Sequence, residues 1–278
     1  MISQINWLSI LVECKNEVKK QIDARLKTLG QPQPSLGTGA GGDPIKQVDL
    51  AAEKAIVETL EGHGISFMLI SEESGVKRFG KAPDDCYVTA DPIDGTTNLI
   101  RRVPFYATSI AVSRKPFLSN VYAALITDLF RGTTYTAEKD KGAFRDGEKI
   151  APSKNGLLED AVIGLDLNGY KVERIAPLLT DLIKRMKHIR HFGANALELC
   201  YVADGTTDAF IDIRGKLRTT DVAAAWLIVR EAGGRITTPR GKPLDAVLDP
   251  KQTVEFIAAN KQIHPIILRM IKQKKETE

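Results

Sequence analysis

The chain has 278 residues, 43% of them hydrophobic and 27% charged, and a mean hydropathy of −0.15. At roughly 150 residues per domain this is about two domains or one large one, enough to bury about three quarters of the unfolded surface without a disulfide or metal staple. Disorder, collagen and coiled coil are excluded as descriptions of the whole chain. The net charge is only +4, and no basic block longer than three residues precedes the C-terminal tail. Nucleic acid is therefore not expected as a partner. Cys14, Cys86 and Cys200 are far apart and form no CxxC pair. That argues against a zinc knuckle or a disulfide framework and fits reduced thiols in a cytoplasmic protein. Glu13, Lys15 and Glu17 follow the first apolar stretch too closely for a signal peptide. No apolar run reaches the roughly 18 residues of a membrane span, so no membrane association is expected.

In chain order, apolar residues at Ile5, Leu8, Leu11, Val12, Val18, Ile22 and Leu26 predict an amphipathic helix over 5–29. Residues 31–44 hold prolines and glycines that forbid helix and strand, so this is a long loop, functional or mobile. Helical spacing returns over 45–60. Short apolar runs at 65–70 and 87–90 read as strands. Three consecutive strands at 109–112, 121–125 and 133–136, with no helix between them, predict an antiparallel sheet. From 162 onward the pattern alternates. Strands are expected at 162–165, 188–192, 208–213 and 254–258. Helices are expected at 171–187, 196–203, 221–232 and 263–272. The best boundary between halves lies at 147–155.

Two acidic blocks directly follow strand candidates. One is Ser71-Glu72-Glu73-Ser74-Gly75, the other Asp91-Pro92-Ile93-Asp94-Gly95-Thr96-Thr97-Asn98. Carboxylates in turns at strand ends are where a rigid scaffold presents ligands to an open site. Pro92 fixes its own φ and keeps Asp91 extended, so the turn can aim Asp91 and Asp94 at one point with the Ile93 carbonyl between them. An all-oxygen set selects a hard cation, Mg²⁺ or Mn²⁺, over zinc. Asp-Pro and Asp-Gly also occur in ordinary turns. The added string Gly95-Thr96-Thr97-Asn98 offers backbone N–H groups and hydroxyls to a phosphate. Metal carboxylates beside a phosphate cradle point to metal-assisted phosphoryl transfer.

SEES, DPIDGTTN and TDVAAAWLIVREAGG, in that order, together resemble the signature blocks of the inositol monophosphatase superfamily of Mg²⁺-dependent phosphatases. The segment at 134–150 also resembles a family hairpin. The resemblance runs from about Asp43 to Ile257. It implies a layered α-β-α-β-α sandwich of the α+β class. Residues 1–150 would form an N-terminal α+β half with an antiparallel sheet and most metal ligands. Residues 151–278 would form a C-terminal α/β half with the specificity region and the late ligand. By the same resemblance Glu72, Asp91 and the Ile93 carbonyl hold a first Mg²⁺, and Asp94 and Asp221 a second. Asp43 recruits a loose third ion, and Mn²⁺ can substitute. Gly95 and Thr96, with Asp94, bind the substrate phosphate. Thr96 and Asp49 activate the attacking water, and Glu72 is counted with them among the catalytic residues. Many members carry Trp immediately before the late aspartate, where this chain has Thr220.

The resemblance places sugar or polyol contacts in the stretch from His191 to Asn195, including Gly193, Ala194 and Asn195, and in the stretch from Asp212 to Arg218. With Arg190, Arg214 and Arg218, the chain looks like the archaeal branch that hydrolyses fructose 1,6-bisphosphate and inositol 1-phosphate. Arginine forks suit a second dianion; the same arginines could instead form an ion-pair network. Alternatives are a 3′-phosphoadenosine 5′-phosphate phosphatase and a non-catalytic binding member. Most relatives are homodimers, so a homodimer acting on a small phosphate ester in carbohydrate metabolism (gluconeogenesis) is expected. The glycines at 37–42 satisfy a dinucleotide fingerprint, but Gln31-Pro32-Gln33-Pro34 precedes them instead of a strand, so a hinged loop delivering Asp43 is the better reading. His188 and His191, on opposite faces of one strand, are poor joint metal ligands. Trp7 and Trp226 read as packing residues, Asp204-Gly205 as a helix-ending turn, and Asp166 and Asp208 as surface or capping acids.

Overall fold

The structure is a computed structural model, and it describes residues 5–26, 37–42, 46–81, 85–168 and 172–277. Asp43 lies outside the described residues, and so does most of the 31–44 loop.

Helices α1 (Trp7–Arg25) and α2 (Gln47–Gly62) are amphipathic, as their spacing requires. Trp7, Leu11, Cys14, Val18 and Ile22 form the buried stripe of α1. Strands β1 (Phe67–Ser71), β2 (Gly75–Phe79), β3 (Tyr87–Asp94), β4 (Ala107–Ser113), β5 (Val121–Asp128), β6 (Thr134–Glu138), β7 (Gly142–Arg145) and β8 (Glu148–Lys149) make the first sheet. Its order is β2-β1-β3-β4-β5-β6-β7-β8. All neighbours are antiparallel except β1 and β3. Helix α3 (Thr96–Arg101) follows β3.

The second sheet contains β9 (Val162–Leu165), β10 (His188–Arg190), β11 (Ala209–Arg218), β12 (Arg235–Thr237) and β13 (Thr253–Ala259) in the order β10-β9-β11-β13-β12. Helices α4 (Val172–Arg185), α5 (Asn195–Ala203), α6 (Thr219–Glu231) and α7 (His264–Thr277) complete the chain.

Three apolar clusters reveal the layers. In the first sheet, Val88, Ile110, Val112 and Leu125 pack under α1 and α2. Their alternating neighbours Ala111, Ala124 and Ile126 face α5 and α6 instead. Period-two alternation thus gives the sheet two apolar faces. Helix α6 is buried at every residue from Thr219 to Val229, because it lies between the sheets. Leu179 and Leu182 of α4 and Ile267 and Ile271 of α7 cover the outer face of the second sheet. The layering is α-β-α-β-α, as expected. Trp7 and Trp226 pack in these clusters, and Asp204 ends α5 ahead of Gly205 at φ +79°.

Helix α3, strand β12 and two features of the first sheet were not visible beforehand. β2 is a mostly exposed edge strand with no apolar face to signal it. β3 does not stop at Ala90: it runs through Pro92 to Asp94, with a register shift against β4 between Asp91 and Asp94. Proline is tolerated inside a sheet at such a bulge.

Candidate functional site

The β3 bulge decides where the acids point. On a regular strand, residues three apart face opposite sides of the sheet. The irregularity corrects the parity, and both Asp91 and Asp94 line one cavity of about 400 Å³. Asp91 Oδ1 also accepts from the Ile93 amide at 3.1 Å, which tightens the bulge. Glu72 arrives from the three-residue connection between β1 and β2, closed by the pairing of Ser71 with Gly75. The buried Glu53 carboxylate fixes that connection, accepting from the Ser71 hydroxyl and from the Ser74 amide at 3.3 Å. Asp221 comes from the first turn of α6. Its Oδ2 accepts from the Arg218 amide at 3.0 Å, and its Oδ1 from the Thr220 hydroxyl at 3.1 Å. Thr220 therefore orients the acid it precedes.

Oxygens of Glu72, Asp91 and Asp221 all lie within 4.8 Å of one another. Asp94 stands beside them, with its Oδ2 held by the Ala196 amide at 2.7 Å in the first turn of α5. The electrostatic cost is visible. Burial raises the Asp91 carboxyl well above its ordinary range, and Glu72, Asp94 and Asp221 push the same way. Asp94 is pushed up to about 8, by burial first and Asp221 second. One cation, Arg218, offsets the group: its Nη2 is 2.6 Å from Glu72 Oε1, and its Nη1 donates to the Gly41 carbonyl at 2.8 Å. A cluster of carboxylates, all oxygen donors, in which Asp91 and Asp94 are raised by burial and by their acidic neighbours, fits a hard divalent cation. Ile93 lines the same cavity, and its carbonyl accepts from Thr96 Oγ1 at 2.9 Å.

Gly95 takes φ +88° and turns the chain from β3 into α3. A side chain there would meet Ala194 Cβ at 3.1 Å and the carbonyls of Gly193 and Phe105 at 3.2 Å. Gly95, Thr96 and Thr97 line the cavity. Thr96 Oγ1 also donates to Asp49 Oδ1 at 3.1 Å. Burial pushes Asp49 up to about 7, against the opposing hydrogen bond from Thr96.

The expected substrate residues divide. Gly193, Asn195, Arg214 and Arg218 line the cavity. Arg190 is exposed on edge strand β10, and its Nη1 donates to the Ile189 carbonyl. Ala194 and Asp212 are fully buried and do not line the cavity. Arg214 is 3% exposed and clamped between Asp166 and Asp212, so it belongs to an ion-pair network. Asp166 is thus no surface acid. Asp208 is buried too, capping the start of β9 by accepting from the Val162 amide at 2.8 Å. Lys46, Glu73, Asn168 and Lys216 also line the cavity; Glu73 belongs to the first acidic block and Lys216 to the 212–218 stretch expected to meet the substrate, but none was named as a site residue. Lys216 lies within an irregularity in β11, where the register against β13 shifts between Asp212 and Leu217 and Gly215 takes φ +66°.

Residues 6–276 match the family model described as the inositol monophosphatase family. The chain is 35% identical over 274 residues to a fructose-1,6-bisphosphatase/inositol-1-monophosphatase of Methanothermobacter thermautotrophicus, covering 95% of this chain and 96% of that one. It is 34% identical over 274 residues to a bifunctional NADP phosphatase/NAD kinase of Methanococcus maripaludis, covering 91% of this chain but only 48% of that protein. Among solved structures, the extragenic suppressor protein suhB from Bartonella henselae superposes with a TM-score of 0.83 at 28% identity, covering 97% of this chain and 99% of that one.

Proposed function

The chain belongs to the inositol monophosphatase family, and on that premise we propose that it is a Mg²⁺-dependent phosphatase that hydrolyses sugar and polyol phosphates. Fructose 1,6-bisphosphate and inositol 1-phosphate are its substrates, supported by the similarity to the archaeal enzyme named for both activities. One observation carries the reading: three carboxylates converge within 4.8 Å beside a hydroxyl–carboxylate pair, Thr96–Asp49, in one cavity.

Glu72, Asp91 and the Ile93 carbonyl would hold one ion, and Asp94 with Asp221 a second; by the family resemblance Asp43 would help recruit a loosely held third. Bound Mg²⁺ supplies Lewis acidity for a water and for the leaving oxygen. The chain's own groups do the rest. Thr96 Oγ1 and Asp49 Oδ1 orient the attacking water, and Asp49 takes its proton, directly or through Thr96. Gly95, Thr96 and Thr97 offer backbone N–H groups to the substrate phosphate. Gly193 and Asn195 face the sugar or polyol. Arg214 is committed to Asp166 and Asp212, so the exposed Lys216 is the cation assigned to a second phosphate. The active site draws Glu72, Asp91 and Asp94 from residues 1–150 and Asp221 from 151–278, so the two halves work as one unit. Homodimer formation and a cytoplasmic role in carbohydrate metabolism are part of this reading and rest on the family resemblance. Among the described residues, no helix is long and apolar enough to cross a membrane.

The test is inorganic phosphate release with and without Mg²⁺ from fructose 1,6-bisphosphate, inositol 1-phosphate, 3′-phosphoadenosine 5′-phosphate and NADP⁺. Mg²⁺-dependent release from the first two supports the reading. Preference for either nucleotide, or no release from any, overturns it.

A further inference from the structure

A second group of charges stands beside the metal cluster, and no step above uses it. Arg214 lies between Asp166 and Asp212. Glu198, on α5, is 3% exposed. Its Oε1 accepts from the Phe192 and Gly193 amides, both at 3.0 Å. Two buried carboxylates thus share one guanidinium, and a third, Glu198, has only backbone amides and the His191 ring beside it, an unfavourable balance unless another cation helps.

His191 is placed to be that cation. Its Nδ1 is 3.5 Å from Glu198 Oε1, and its Nε2 is 3.8 Å from Asp166 Oδ1. Nε2 also lies 2.8 Å from the Asn168 side-chain amide, which can turn its oxygen to receive a ring N–H. The charged groups facing the ring come from three elements: Asp166 after β9, Glu198 on α5 and Arg214 on β11, with Asp212 behind the arginine. The hydrogen bond to Glu198 raises the ring's pKa most, and Asp166 adds to it; burial and Arg214 oppose.

The segment these groups hold is a wall of the cavity. Gly193 takes φ +83°, and Asn98 Nδ2 donates to the Phe192 carbonyl at 2.7 Å. Gly193 and Asn195 line the cavity. We propose that His191, as an imidazolium, is a positioning residue for the 192–195 turn: by pairing with Glu198 and Asp166 it keeps the Glu198 carboxylate locked on the turn's amides, and so sets affinity for the sugar or polyol. This rests on the assignment of that turn to the substrate. The sign follows from the charged form being the competent one. Affinity is full at low pH and is lost as pH rises through the raised His191 value.

The experiment combines two readouts on the full chain. Ring resonances of the four histidines are titrated by NMR without substrate, His191 being identified by its absence in His191→Gln. KM and kcat for inositol 1-phosphate are then measured across pH with saturating Mg²⁺. The expected result is a His191 midpoint above about 6.5, falling in Glu198→Gln, which still accepts from the two amides. Wild-type KM rises about tenfold through that midpoint, the scale of a lost charge-assisted hydrogen bond, while kcat changes less. His191→Gln has the higher KM throughout and no step. A midpoint at or below about 6.5, or a His191→Gln variant with wild-type KM at all pH values, overturns the proposal. A wild type that hydrolyses no sugar phosphate sinks the proposed function instead, and the NMR midpoint then decides the His191 pairing alone.

Discussion

Thr96 Oγ1 donates to Asp49 Oδ1 at 3.1 Å although 47 residues separate them in the chain. The hydroxyl sits at the start of α3 and the carboxylate in the first turn of α2. Two helix starts thus meet at one partly buried hydrogen bond. Burial pushes Asp49 up to about 7, which suits a base working near neutrality. A base must be deprotonated, so kcat should rise with pH along a limb at or below 7, since a nearby bound cation draws the value down. Asp49→Asn should lower kcat by about 10²–10⁴-fold, with KM little changed. A pH–rate profile of both proteins checks this; an unchanged acid limb in the variant contradicts it.

Gly95→Ala tests the turn that presents Thr96. The backbone at φ +88° costs an L side chain about 1–2 kcal/mol. The new Cβ would also press on Ala194 and on the carbonyls of Gly193 and Phe105. A drop in Tm of about 2–4 °C per kcal/mol is expected, with a larger fractional loss of kcat/KM as α3 shifts. Wild-type Tm and activity together would refute the tight approach.

The raised carboxyls link metal binding to protons. Asp94 is pushed up to about 8 and Asp91 is raised well above the ordinary range. Without metal, ionising them costs stability as pH rises from the unfolded value near 3.8 through the raised folded values. Mg²⁺ needs the ionised forms, so binding should release protons and tighten as pH rises towards 8. Calorimetry in two buffers of different ionisation enthalpy reads this directly. Heats independent of the buffer would contradict it.

Arg214 and Lys216 should separate cleanly. Removing the guanidinium in Arg214→Ala leaves Asp166 and Asp212 buried without their partner, a loss of about 3–5 kcal/mol. Thermal unfolding should show it, and Asp166→Asn in the same chain should recover part. Lys216→Ala should leave Tm near wild type and raise KM for fructose 1,6-bisphosphate more than for inositol 1-phosphate. Equal KM changes for the two esters would remove the second-phosphate assignment.

Much of this was legible in the residues. The period of α1 and the apolar runs of β4 and β5 follow directly from side-chain patterning, and the acidic blocks announced themselves at strand ends. What patterning could not give was parity. Asp91 and Asp94 face one cavity because β3 carries a bulge, and a three-residue spacing alone does not say so. The arginines were ambiguous for a related reason. Arg214 and Asp166 are 48 positions apart, and only the adjacent placement of β9 and β11 turns two charged residues into a buried pair. Lys216 fell inside the expected 212–218 stretch but was not singled out, because its place in the cavity comes from the irregular stretch of β11 around Gly215.

The most direct test of the central claim is the rate of phosphate release by Asp94→Asn at saturating Mg²⁺. The substitution keeps the acceptor for the Ala196 amide and removes only the charge. The variant should fold with wild-type circular dichroism and turn over at less than about a tenth of the wild-type kcat, consistent with loss of a metal-stabilising charge. Retention of more than that tenth would contradict the account.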